Sequence, residues 1–161
     1  MRVMEREDVD FLAEHLNDIN CMGEYWSDFE QRSKSDWVKV FGFDKPQPSP
    51  NDFKLFIIQK KDGTRIGEIH HFLDSPHHLM EIAGWLMPSE SKKGYATEAT
   101  QLMVDYLFLS KEIARIQAIV DVRHIASQRV LEKAGFQKEG TMRDESFDRG
   151  EWRDYYLYSI L

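Results

Sequence analysis

The sequence predicts an α+β (mixed α/β) domain, and three observations predict it. Apolar residues follow helical spacing up to about residue 41, then switch to strand alternation from residue 54. A tight turn, Lys61-Asp62-Gly63-Thr64, folds the first strand back into an antiparallel meander. The rest alternates strand and helix before two closing strands, an order that fits α+β or a three-layer mixed sheet rather than a doubly wound fold.

Each element follows from local pattern. Residues 7–19 place Phe11, Leu12, Leu16 and Ile19 on one helical face, and residues 33–41 do so more weakly with Trp37, Val38 and Phe41. Between them, residues 20–32 are irregular, acidic and aromatic. Pro46, Pro48 and Pro50 make 45–51 a surface loop, since neither helix nor central strand tolerates them. Residues 54–60, 65–72 and 79–86 read as strands, the last after a loop at 74–78. Residues 94–110 form a long amphipathic helix that buries Ala96, Ala99, Met103, Tyr106 and Leu107. Residues 114–120 are a strand, and 125–134 a helix stopped by Gly135. Residues 137–142 and 152–161 close the sheet, joined by a polar connection containing Asp148, Arg149 and Gly150.

The 161 residues, 42% hydrophobic and 30% charged, suit a single domain over residues 1–161 with a substantial core. A net charge of −7 argues against non-specific nucleic-acid binding, which needs a basic face. The lone Cys21 forms no internal disulfide, and no Cys/His spacing matches a zinc site. His71, His77 and His78 have poor ligand spacing and read as loop residues, so no metal is expected. No apolar run reaches membrane-spanning length, and the N-terminus lacks the apolar core of a signal peptide, so a cytoplasmic protein without membrane partners is expected.

The segment from Trp85 to Ala99 carries the first functional signal. It reads as a strand end, a short turn, and a helix that opens on Gly94. Lys92, Lys93 and the unpaired amides of a helix start share one small volume, an anion-binding arrangement suited to a pyrophosphate. The loop lacks the Gly-Lys-Ser/Thr end of a P-loop and the Gly-x-Gly-x-x-Gly of a dinucleotide fold, which disfavours a nucleotide-binding protein. One strand later stands a second motif: His124-Ile125-Ala126-Ser127, then Glu132-Lys133-Ala134-Gly135-Phe136.

With both motifs in place, the chain resembles the GNAT acetyltransferases, and within them the ribosomal-protein-alanine acetyltransferase (RimJ/RimL-like) group. That family's loop, Arg/Gln-x-x-Gly-x-Gly/Ala, stands here as Ser91-Lys92-Lys93-Gly94-Tyr95-Ala96. Its Asn-x-x-Ser and Glu-Lys-x-Gly-Phe elements match the second motif, and the ending from Gly150 to Asp154 is also similar. The resemblance implies the GNAT fold: a central mixed, mostly antiparallel sheet of about seven strands flanked by four helices. It implies acetyl-CoA as donor, with the amides of Lys93, Gly94, Tyr95 and Ala96 on the pyrophosphate. Leu86, Met87, Ser91, Lys92, Thr97, His124 and Ser127 complete the expected cofactor set. Strands 79–86 and 114–120 are expected to splay apart around the pantetheine.

Acyl transfer to an amine needs a base, often through water, because an ammonium has no lone pair. It also needs a donor for the oxyanion and an acid for the thiolate. Direct attack in a ternary complex requires no protein nucleophile. Glu81, on the strand leading to the loop, is the candidate base; otherwise it is a solvated or ion-paired carboxylate. Glu68 and His70 share one face of the neighbouring strand and are candidates to hold a water or the substrate amine. Many GNAT enzymes carry an acid tyrosine where Leu131 stands, which leaves Ser127 as the candidate acid; otherwise its hydroxyl caps backbone amides. Ser91 and His124 replace the family's Arg/Gln and Asn. Glu24, Tyr25, Trp26, Asp28, Phe29 and Glu30 form an acidic, aromatic surface able to attract a protonated amine, with Trp26 as a substrate contact.

The leading expectation is N-acetylation of a protein N-terminal α-amine. A small-molecule amine (polyamine, amino sugar or amino acid) is the alternative, and a non-catalytic acyl-CoA-binding module is a second class. The aromatic C-terminal strand and the resemblance suggest a homodimer.

Overall fold

The computed structural model describes residues 1–25, 30–42, 53–74 and 79–161. Seven strands form one sheet: β1 (Arg2–Val3), β2 (Lys54–Gln59), β3 (Arg65–Asp74), β4 (Leu79–Leu86), β5 (Arg115–Asp121), β6 (Gln137–Asp148) and β7 (Glu151–Ile160), in the order β1-β2-β3-β4-β5-β7-β6. The helices are α1 (Val9–Leu16), α2 (Ile19–Met22), α3 (Lys34–Val40), α4 (Tyr95–Ser110) and α5 (Ile125–Lys133). No helix among the described residues is long and apolar enough to cross a membrane.

The sheet has two covered faces. Strand alternation sends Phe56, Ile69, Met80, Ile82, Ile116, Ala118 and Tyr158 to one of them, where Ala99, Met103 and Leu107 of α4 and Leu131 of α5 complete the core. On the other face, Leu55, Ile57 and Trp85 pack under Leu12, Leu16 and Met22 of the N-terminal helices. Phe11 and His15 of α1 lie parallel to the Trp85 indole at 5.9 and 5.8 Å.

The position of the site is set by one irregularity. β4 and β5 run parallel, and their ladder covers only three pairs: Leu79 with Arg115, Met80 with Ile116, Glu81 with Gln117. Beyond that point β4 continues to Leu86 and β5 to Asp121 without pairing, so the strands enclose a wedge in mid-sheet. Ala83 and Gly84 are solvent-exposed on a central strand for this reason. The expected splay is therefore present, with its apex at Glu81 and Gln117.

Four boundaries differ from the sequence reading. β1 is a two-residue strand with no pattern to read, held because Arg2 makes a two-point contact with buried Asp8 at 2.7 Å, where Arg65 of β3 also binds. The first helix stops at Leu16 rather than residue 19, and the irregular stretch contains the short helix α2, giving five α-helices among the described residues rather than four. The final hairpin is longer than expected: β6 runs to Asp148, because Arg149 and Gly150 both take positive φ and form the two-residue turn themselves. The proline-rich loop at 45–51 lies outside the described residues.

Gly84 is required by close approach. A Cβ there would sit 2.5 Å from the Glu68 carbonyl oxygen and 2.9 Å from the Ile69 Cα, both backbone atoms of β3. Gly84→Ala is expected to lower unfolding stability by about 1–3 kcal/mol; a wild-type urea midpoint would contradict this packing.

Candidate active site

The first mouth of the wedge is the turn after β4. A 3₁₀ turn at Pro88–Glu90 leads through Ser91 to Lys92 and Gly94, which take φ of 63° and 89°, and Gly94 caps α4. The first bond of the helix runs from the Glu98 N–H to the Gly94 carbonyl. The N–H groups of Tyr95, Ala96 and Thr97 therefore have no acceptor within the helix. Glycine supplies the left-handed conformation and leaves no side chain over these amides. The arrangement fits a pyrophosphate: backbone donors, the positive helix end and an exposed loop coincide.

The lysines are not equivalent. Lys93 Nζ contacts Glu90 at 3.1 Å, and Lys60 Nζ reaches the same carboxylate at 2.7 Å. These two contacts hold the Glu90 pKa below the usual carboxylate value. Lys92 is exposed and makes no ion pair among the described residues, which leaves it the cation available to an arriving phosphate. Ser91 is exposed, with its N–H on the Pro88 carbonyl. Leu86 and Met87 contribute packing: Leu86 lies against the α4 core, Met87 against the Trp85 cluster, and the Met87 N–H is committed to the Ile66 carbonyl at 2.8 Å.

On the face opposite α4, the candidates for amine chemistry converge. Cross-strand register sets Glu68 opposite Trp85, His70 opposite Ala83 and Phe72 opposite Glu81, so Glu81 joins the face that Glu68 and His70 share by alternation. Glu68 is 2% exposed, and the His70 ring donates from Nδ1 to its Oε2 at 2.9 Å. The Phe53 and Phe72 rings both approach His70, at 5.3 and 6.2 Å. Burial disfavours charge on His70, but the Glu68 carboxylate, by charge and hydrogen bond, and the Glu81 charge outweigh it; the pKa is raised. Glu81, at the wedge apex, accepts a hydrogen bond from Gln117 Nε2 at 2.9 Å. Gln117 is a contact that sequence reasoning missed; a mid-strand glutamine carries no signal without knowledge of the register.

The second motif forms the other arm. Buried Asp121, the last residue of β5, accepts from the Arg123 N–H at 2.8 Å and from its guanidinium at 2.9 and 3.1 Å. Burial alone would raise the Asp121 pKa; these bonds outweigh it and hold it low. His124 precedes α5 and makes no side-chain cap; its ring stacks on Tyr25 at 4.3 Å. Burial lowers its pKa, against the pull of Asp121 and Glu24, which favours a neutral ring. Ser127 is the third residue of α5, half-buried, with no side-chain hydrogen bond among the described residues. Leu131 is core. His71 turns away from the site to the α4 face, near Phe56 and Tyr106. Trp26, His77 and His78 lie outside the described residues. Among the described residues no group of three His, Cys, Asp or Glu side chains is placed to hold a metal ion.

Comparison with known proteins agrees with this geometry. Residues 1–137 match the acetyltransferase (GNAT) domain family. The chain is 41% identical over 112 residues to the probable N-acetyltransferase YjcK of Bacillus subtilis, a match spanning 68% of this chain and 62% of that protein. The chain thus spans less than two thirds of YjcK's length. It is 27% identical to the spermidine N(1)-acetyltransferase of Escherichia coli, over 96% of this chain and 81% of that one. The spermidine N-acetyltransferase of Vibrio cholerae, solved with CoA and spermine, superposes with a TM-score of 0.87 at 23% identity, covering 99% of this chain and 92% of the other.

Two predictions follow from the geometry. Gly94→Glu places a charged side chain at a left-handed position over the open amides and is expected to abolish acetyl-CoA binding by calorimetry; unchanged affinity contradicts the loop's role. His70, with a raised folded pKa, adds stability that is complete below its unfolded pKa, about 6.5. That contribution is lost as pH rises through the folded value. NMR titration should place His70 above about 6.5 and Glu68→Gln should bring it down; a wild-type His70 titrating below that value contradicts the pairing.

Proposed function

The chain belongs to the GNAT acetyltransferase family, and from that membership we propose that it transfers the acetyl group of acetyl-CoA to a primary amine of a small, polyamine-like molecule. Transfer is by direct attack in a ternary complex. The observation that carries this reading is the wedge: its open strand edges run between the Gly94 amides and a half-buried acidic face. The protein N-terminal α-amine expected from the RimJ/RimL-like resemblance yields first place to the small amine. The likeness, over 96% of this chain, to a relative named for spermidine supports that order. A compact face with Glu68 and Glu81 beside Phe53 and Phe72 also suits an alkylammonium, by charge and by aromatic contact.

When bound, acetyl-CoA supplies a thioester carbonyl open to a neutral amine. The amides of Tyr95, Ala96 and Thr97, with Lys92, hold its phosphates. The edges of residues 82–85 and 118–120 that face each other across the wedge hold its pantetheine arm. Carboxylates on the acceptor face draw in the amine as an ammonium, and one of them then takes its proton. His70 keeps its own proton to higher pH than an ordinary histidine and is bonded to Glu68, which leaves Glu81 as the base, directly or through a water. Gln117 fixes the Glu81 carboxylate at the apex. The Ser127 hydroxyl serves as the acid for the departing thiolate.

A thiol-release assay across spermidine, amino sugars, amino acids and peptides with free N-termini tests this function. Release with small amines supports it; release with peptides alone restores the α-amine reading, and tight acetyl-CoA binding without release points to a non-catalytic module. Glu81→Gln is expected to cut kcat by about 100-fold or more and flatten the acid limb of the pH profile. A wild-type profile moves the base elsewhere.

A further inference from the structure

The motif that marks the phosphate loop runs from Ser91 to Ala96, yet the loop is braced from outside it, by the turn that closes the β2–β3 hairpin. The Lys60 N–H donates to the Thr64 carbonyl at 2.9 Å, and the Gly63 N–H donates to the Lys60 carbonyl at 3.0 Å, so the turn fixes the main chain of Lys60. Just beyond the turn, the Ile66 carbonyl takes the Met87 N–H at 2.8 Å, where the chain leaves β4. The Lys60 side chain then spans the two ends of the loop. Its Nζ contacts Glu90 Oε1 at 2.7 Å, ahead of the loop, and lies 5.9 Å from the ring centroid of Tyr95, the first residue of α4.

Glu90 is shared. Lys93 Nζ meets its other oxygen, Oε2, at 3.1 Å. The two lysines hold it unequally: the Lys60 side chain is 28% exposed and makes the shorter contact, whereas that of Lys93 is 51% exposed and makes the longer one. Lys60 is therefore the inner, standing partner and Lys93 the outer one, free to leave. The Glu90 side chain is only 13% exposed, so solvent screens its charge less than that of a surface carboxylate. A carboxylate this near an anion seat opposes the anion by like-charge repulsion. Two ammoniums against one carboxylate leave the trio with one net positive charge. Without Lys60 the net charge is zero, and Lys93 alone is left to neutralise Glu90.

We propose that Lys60 is a positioning residue for cofactor binding: by neutralising Glu90 from the hairpin side, it frees Lys93 to pass from that carboxylate to the phosphates of acetyl-CoA. The proposal rests on the acetyl-CoA reading of the Gly94 loop. Lys92 and the α4 amides receive the phosphates in either case; Lys93 adds its charge only while Lys60 holds Glu90. A lysine suits the exchange, because its ammonium is a point charge on a flexible stem and keeps no fixed geometry with either partner.

The test is calorimetry of acetyl-CoA binding to the full chain. Lys60→Met should raise the Kd about tenfold at about 0.1 M salt, and the difference from wild type should narrow toward about 1 M, as screening requires. Lys60→Arg keeps the charge and should bind like wild type. Lys60→Met combined with Glu90→Gln removes the carboxylate that Lys60 neutralises, and should return the Kd to within about twofold of wild type. A double variant as weak as Lys60→Met alone shows that Lys60 touches the phosphates itself or only shapes the turn, and overturns the proposal. Lys60→Met with wild-type affinity overturns it too. Either result, with acetyl-CoA still bound by the wild type, leaves the cofactor reading standing; a wild type that binds no acetyl-CoA overturns that reading instead.

Discussion

The ladder between β4 and β5 ends at Glu81 and Gln117, and the site is a consequence of where it ends. Past that pair, the main-chain N–H and C=O groups along two central strands face each other without bonding. Buried backbone polar groups do not stay unpaired without cost, so this gap calls for a guest that carries its own amides, or for water. The α4 face stays closed because Ala99, Met103 and Leu107 pack the sheet on both sides of the opening. The two arms are thus held at a fixed separation by the core, while their facing edges remain available.

Charge is distributed around the gap in a corresponding way. At the loop end, Glu90 absorbs Lys60 and Lys93, and the positive field comes mainly from the α4 amides and Lys92. On the acceptor face, Glu68 is nearly fully buried and shares its charge with His70, while Glu81 is held by a neutral amide. One carboxylate is thereby bonded to the His70 ring and the other to the Gln117 amide.

Much of this was legible in the sequence, for physical reasons. Alternation put Glu68 and His70 on one face, to which the register of β3 with β4 adds Glu81, and a glycine opening a long amphipathic helix marked the anion seat. What escaped was pattern-free or relational. β1 is too short to show a period. β6 runs Gln-Lys-Glu-Gly-Thr-Met-Arg-Asp-Glu-Ser-Phe-Asp, and its exposure on both faces removes the alternation that marks a strand. Gln117 gains meaning only from the register of a parallel pair separated by 36 residues. Arg153 gains it only when the final hairpin is extended and laid against residues 23–25. The departure at His124, read as a loss of the family's asparagine, is in the structure a flat ring on which Tyr25 rests.

The central claim is that the unpaired edges of β4 and β5 receive the acetyl-CoA arm together. Amide hydrogen exchange across residues 82–86 and 118–121, with and without acetyl-CoA, measures it directly. Binding should slow exchange on both strands along with residues 93–97. Protection confined to the Gly94 loop, with both strand edges unchanged, would contradict the claim.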